Sequence, residues 1–120
     1  MTTPNTIKID NVEYVRKGTP GHVMTKNYVI VRTVNAGVFA GTLECFNADK
    51  ATMRLNQARR LWYWEGAASL SQLSQEGVKK PESCKFPMEV PTITLLGVIE
   101  VIPCSKIAQE SIAAVPIWKA

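Results

Sequence analysis

The sequence predicts an α+β domain: an antiparallel, partly barrel-like β-meander of about six to seven strands that carries two short helices. Segments rich in β-branched and aromatic residues recur between Gly, Asn and Asp turn formers over residues 7–64. Two stretches, 66–77 and 105–115, instead space their apolar residues three and four apart and are bounded by capping residues. The 120 residues, 46% apolar and 20% charged, suit one compact core. We divide this single domain into an N-terminal hairpin and loop (1–26), a sheet with one inserted helix and a long loop (27–104), and a C-terminal helix and tail (105–120).

Ile7 to Val15 reads as two alternating segments around Asp10-Asn11, a pair that tolerates the backbone angles of a tight hairpin. Gly18 to Lys26, with Pro20 and Gly21, makes a loop. Tyr28 to Val34 is a strand, Asn35-Ala36-Gly37 its turn, and Val38 to Phe46 the return. Asn47 to Lys50 reverses the chain into Ala51–Leu55, which puts Ala51, Met53 and Leu55 on one face. Beyond Asn56-Gln57, Ala58 to Trp64 reads as a further strand with Arg60, Trp62 and Trp64 on one face and Arg59, Leu61 and Tyr63 on the other. A short helix over Gly66–Gly77 turns Ala67, Leu70 and Leu73 to one side, and Gly77 closes it. Val78 to Pro91 holds Pro81, Pro87 and Pro91 and is expected to be irregular. Thr92 to Ile102 is the most apolar strand and the expected centre of the sheet, with Gly97 marking a bulge or a close backbone approach. Ser105 caps a last helix, Lys106 to Val115, that turns Ile107, Ala108, Ile112 and Val115 inward before Pro116 stops it. Trp118 in the tail needs cover from its own domain or from another copy.

Several functions are disfavoured by what the chain contains. The apolar run Ile93–Pro103 is far shorter than the roughly 20 residues that span a bilayer, and the first residues do not read as a secretory signal, so a cytoplasmic protein is expected. Cys45, Cys84 and Cys104 are spaced for neither a disulfide framework nor zinc knuckles and are read as reduced core thiols. His22 with those three cysteines makes a poor zinc set, because structural sites draw two ligands from one tight turn. With one histidine, two aspartates and no phosphate-binding glycine loop, no catalytic residue, metal or cofactor is expected. Net charge is +4, and the excess is confined to residues 1–60, where nine basic side chains face four acidic ones. That suits an anionic partner, and equally an ordinary basic surface.

Six residues stand out as candidate ligand contacts: Arg32, Arg59, Arg60, Trp62, Lys85 and Phe86. Arg32 interrupts an apolar strand and needs either a ligand or a counter-charge such as Glu44. Arg59-Arg60 before Trp62-Tyr63-Trp64 pairs guanidinium forks, which suit phosphate, with rings that stack on bases. Equally, one tryptophan belongs to the core and the arginines rise from its rim. Phe86, beside Lys85, is either a stacking lid for a base or an anchor that pins an irregular loop. Cys84 beside Lys85 is either a thiol whose pKa the ammonium lowers or, as is usual for a lone cysteine without histidine, inert.

The strings Arg59-Arg-Leu-Trp-Tyr-Trp-Glu-Gly-Ala-Ala-Ser-Leu70, Gly77-Val-Lys-Lys-Pro-Glu-Ser-Cys-Lys-Phe86 and Val98-Ile-Glu-Val-Ile-Pro-Cys104, with Val31-Arg-Thr33 and Ala36-Gly-Val38 upstream, resemble a family of small phage and prophage proteins. The pattern, over about Tyr28–Val115, is similar to that of the type-one Thoeris anti-defence proteins, sponges that capture cyclic ADP-ribose isomers. The resemblance implies a phage protein in the host cytosol that sequesters a cyclic nucleotide signal without turnover, as a dimer or hexamer. It implies Arg32, Arg59 and Arg60 on phosphates and Phe86 on a base. The alternatives are a module for single-stranded nucleic acid, with Trp62 and Trp64 as stacking rings, and a structural accessory part of the virion.

Overall fold

The computed structural model describes residues 24–120. The hairpin expected at Ile7–Val15 and His22, disfavoured above as a zinc ligand, lie outside them. Among the described residues five strands and two α-helices follow in chain order, with one 3-10 turn at Pro81–Ser83: β1 (Met24–Thr33), β2 (Val38–Asn47), β3 (Thr52–Arg60), α1 (Leu70–Glu76), β4 (Val90–Leu96), β5 (Val98–Ser105) and α2 (Lys106–Ala114). The strands form one antiparallel sheet in the order β4-β3-β2-β1-β5, so the α+β meander expected from sequence is present.

Local chemistry sets the turns. At the β1–β2 turn the Thr33 hydroxyl accepts from the Ala36 N–H at 2.9 Å, while Gly37 takes a φ of 102°. At the next, the Asn47 side chain accepts from the Lys50 N–H at 3.1 Å. The break expected at Asn56-Gln57 is a bulge instead. Gln57 has a φ of 47°, and the register passes from Thr42↔Asn56 to Ala40↔Arg59, so two residues of β3 oppose Gly41. A Cβ on Gly41 would lie 3.0 Å from the Asn56 carbonyl oxygen, so only glycine fits without a shift there. The strand expected over Ala58–Trp64 is therefore the end of β3, and it stops at Arg60.

The apolar stretch Thr92–Ile102 is not one central strand. Gly97, at a φ of 72°, breaks it into β4 and β5, which occupy the two opposite edges of the sheet. Leu96 faces Thr52 and Val98 faces Thr33; the Gly97 carbonyl accepts from Val34 and the Val98 N–H donates to Ala51. A single residue thus ties both edges together, and the sheet curls into a half-barrel.

Curling separates two cores. Inside the curl lie Val29, Val31, Phe39, Met53, Leu55, Ala58, Leu95 and Val98. On the outer face Tyr28, Ile30, Ala40 and Leu61 meet Leu73 of α1, Ala108 and Ile112 of α2, and Phe86 from the long loop. The Ser69 side chain caps α1 by accepting from Gln72 N–H, and the Ser105 side chain caps α2 by accepting from Ala108 N–H. Gly77 ends α1 at a φ of 77°, packed so tightly on Ser111 of α2 that a Cβ would overlap that side chain. Ile107, expected inward, is exposed, because α2 turns only Ala108, Ile112 and the following Val115 to the sheet. Among the described residues no helix is long and apolar enough to cross a membrane.

Candidate functional site

Arg59 and Arg60 are adjacent on β3, so their side chains leave on opposite faces. Arg59 enters the outer core and is only 5% exposed. Its Nε donates to the Pro87 carbonyl at 2.9 Å and its Nη1 to Ile112 at 2.7 Å. Its Nη2 donates to Phe86 at 3.1 Å and to Val115 at 2.7 Å. Burial lowers its pKa from the ordinary value, against the opposing pull of Tyr28 and Glu89, yet a guanidinium stays charged under all physiological conditions. A cation held by four carbonyls has no fork left for a phosphate. The phosphate-binding role expected for Arg59 is therefore corrected to an internal clamp.

Phe86 is corrected likewise. It is fully buried, with the Arg59 guanidinium 5.5 Å from its ring centroid, and it anchors the loop to the core instead of covering a base. Arg60 lies over the Phe39 ring at 4.4 Å and donates to the Ala36 carbonyl at 2.6 Å, which secures the β1–β2 turn. Arg32 pairs with Glu100 on β5 through a 2.8 Å contact at an exposed position; Glu44, the partner expected from sequence, lies 3.9 Å from Arg54. Arg32 and Arg60 emerge on opposite sheet faces, since Arg32 faces Val38 while Arg60 faces the next residue, Phe39. Arg59 and Phe86 meet inside the core, and neither Arg32 nor Arg60 joins them.

Trp62 and Lys85 do come together. After Arg60 the chain leaves the sheet; Leu61 N–H donates to Val38 and Tyr63 bridges to Lys85, whose N–H donates to the Tyr63 carbonyl at 2.7 Å. Trp64 packs against the outer core, and Trp62 points to solvent, 58% exposed. The C-terminal tail delivers Trp118 onto it: the indoles stack with centroids 5.3 Å apart and planes 4° from parallel. Lys85 Nζ stands 5.4 Å from the Trp62 centroid, 5.6 Å from that of Trp118 and 5.7 Å from that of Tyr63. Tyr63 donates its hydroxyl to Glu65 at 2.6 Å, and that bond to a carboxylate raises its pKa. The result is an open aromatic platform with one ammonium at its edge. Sequence reasoning placed Trp62 and Lys85 among the ligand contacts and missed Trp118, although an indole in a C-terminal tail was the available signal.

The thiols offer no second centre. Cys45 is exposed, contrary to the expected core position, whereas Cys84 and Cys104 are buried. Burial raises the Cys84 thiol from its ordinary pKa, so Lys85 does not activate it. Among the described residues no group of three or more His, Cys, Asp or Glu is placed to hold a metal.

The class defined by this geometry is a curled antiparallel domain with helices on its outer face and a stacking platform at one end. Residues 26–112 match the model of a domain of unknown function, DUF6948, and the chain belongs to that family. No curated protein and no solved structure matches the chain.

Proposed function

We propose that this domain is a non-enzymatic binder of a base-bearing anion, received at the platform of Trp62, Trp118 and Lys85. The carrying observation is the pair of parallel, half-exposed indoles with one ammonium within 6 Å of both rings. Indole faces stack on bases at about 1–3 kcal/mol each, and a lysine at the rim meets the phosphate as a point charge. Of the ligands in this class we favour the cyclic nucleotide that the sequence resemblance implies, a cyclic ADP-ribose isomer or a cyclic oligonucleotide. It would be held intact by a phage protein in the host cytosol, with a second copy of the chain completing the enclosure.

Thermal-shift and calorimetric titration against cyclic nucleotides tests this reading, because a ligand bound only by the folded form raises its melting temperature. The expected result is a saturable shift, abolished in Trp62→Ala and reduced in Lys85→Gln, with the ligand recovered unaltered on heating. A chemically changed product overturns sequestration in favour of an enzyme. A second reading, binding of single-stranded nucleic acid, is favoured by the openness of the platform, since Trp118 too is 45% exposed. Oligonucleotide affinity that falls steeply between two salt concentrations selects it, through counterion release.

A further inference from the structure

We infer that Arg59 is the positioning residue of the platform, holding its three contributing segments in register from beneath without touching a ligand; this rests on the platform reading above. Trp62 lies three residues beyond Arg59, and Lys85 immediately precedes Phe86. Trp118 follows Val115 by three residues. The four carbonyls that Arg59 engages belong to the two segments other than its own: Phe86 and Pro87 beside Lys85, Ile112 and Val115 before Trp118.

The Phe86 carbonyl joins them directly. It accepts from Arg59 Nη2 at 3.1 Å and from the Trp118 N–H at 3.0 Å, which uses both of its lone pairs. Next to it, Phe86 and Ile117 form a parallel bridge that sets the tail beside the loop. Ile112 and Val115 are at the C-terminal end of α2, where the Ile112 carbonyl takes only a long 3.3 Å bond from the Val115 N–H and the macrodipole favours a cation. No basic residue lies in the last turn of α2 itself, so β3 supplies the cation. Only the planar guanidinium, with five donors in a fixed fork, spans these oxygens; an ammonium has three donors at one point.

The test reads the indole pair as well as the ligand. Stacked indoles give an exciton couplet in circular dichroism, recorded in a Trp64→Phe background so that Trp62 and Trp118 are the remaining tryptophans. Arg59→Lys is expected to melt cooperatively yet lose the couplet, open Trp118 to acrylamide quenching, and bind cyclic nucleotide about tenfold more weakly, since misplaced contacts forfeit preorganisation. A folded Arg59→Lys chain that keeps the couplet and its shielding overturns the proposal. Loss of the couplet in a protein that binds no nucleotide leaves the positioning role standing and sinks the binding reading alone. Should Arg59→Lys fail to fold, NMR of the unaltered chain decides: separate, slowly exchanging Arg59 Nη protons with couplings to the Phe86 and Val115 carbonyls support the clamp, and averaged signals overturn it.

Discussion

Two neighbouring regions are built from the same three stretches of chain and have opposite character. Around Arg59 four of the five N–H donors of a buried cation meet backbone carbonyls, Phe86 is sealed beneath it, and Ile112 and Val115 close the side. A few residues away along each stretch, Trp62 and Trp118 stand exposed, with half-buried Lys85 beside their rings. The difference separates two uses of one residue vocabulary. An arginine and an aromatic ring together describe a nucleotide clamp or a closed structural joint, and burial decides which. Here the joint holds the elements and the platform keeps free surface.

The contrast predicts unequal costs of truncation. Phe86→Ala empties a fully buried site under the guanidinium, and buried Phe→Ala changes cost about 3–5 kcal/mol through lost transfer energy and the cavity left behind. Urea unfolding monitored by far-ultraviolet circular dichroism checks it. A loss under about 1 kcal/mol means the ring is not the anchor described, because a packed core cannot absorb such a void so cheaply.

The second contrast is in pH. Burial pushes the Cys104 thiol from 9.0 to about 12, and raises Tyr28 well above its ordinary value by the same cause. Both groups are neutral in the folded protein and ionise more readily once unfolded. Their stabilisation is therefore fully present below about pH 9 and is lost as pH rises from 9 toward 12, at about 1.4 kcal/mol per pH unit for each group titrating only in the unfolded chain. Urea midpoints should fall over that window, and Cys104→Ala should make the fall shallower. Equal midpoints at pH 8.5 and pH 11 would contradict the sealed outer core.

Much of this fold was legible in the sequence, and the reason is local. The Asn47 and Gly37 turns, the Ser105 cap and the Gly77 stop each follow from one residue's own chemistry. Gly97 was legible only as an irregularity. That it divides one apolar run between opposite sheet edges depends on where β1 and β3 end, which no window of the run contains. The site divides the same way. Arg59 carried two readings in the sequence, a phosphate fork or a side chain rising from the rim of a core tryptophan; that it is buried on backbone carbonyls of Phe86, Pro87, Ile112 and Val115 is a tertiary fact. Phe86 carried both readings, lid and anchor, because side-chain type alone does not say which way a loop folds. Trp118 demanded a partner on grounds of size and apolarity, and Trp62 supplies it.

The smallest effect is the one that sharpens the contrast most. Trp118→Ala removes an indole, the largest kind of side chain in the molecule, yet that ring is half in water and its main ring contact is the stack with Trp62. A stacked aromatic pair contributes about 0.5–1.5 kcal/mol beyond its buried area, so the loss in stability should stay near 1 kcal/mol, several-fold below Phe86→Ala. Over the same titration, affinity for a cyclic nucleotide should fall by at least about tenfold, because base stacking at 1–3 kcal/mol per ring goes with the indole. Size predicts the reverse order for the two variants, so a Trp118→Ala loss equal to that of Phe86→Ala would make the platform another piece of core, held together for the fold and not kept open for a partner.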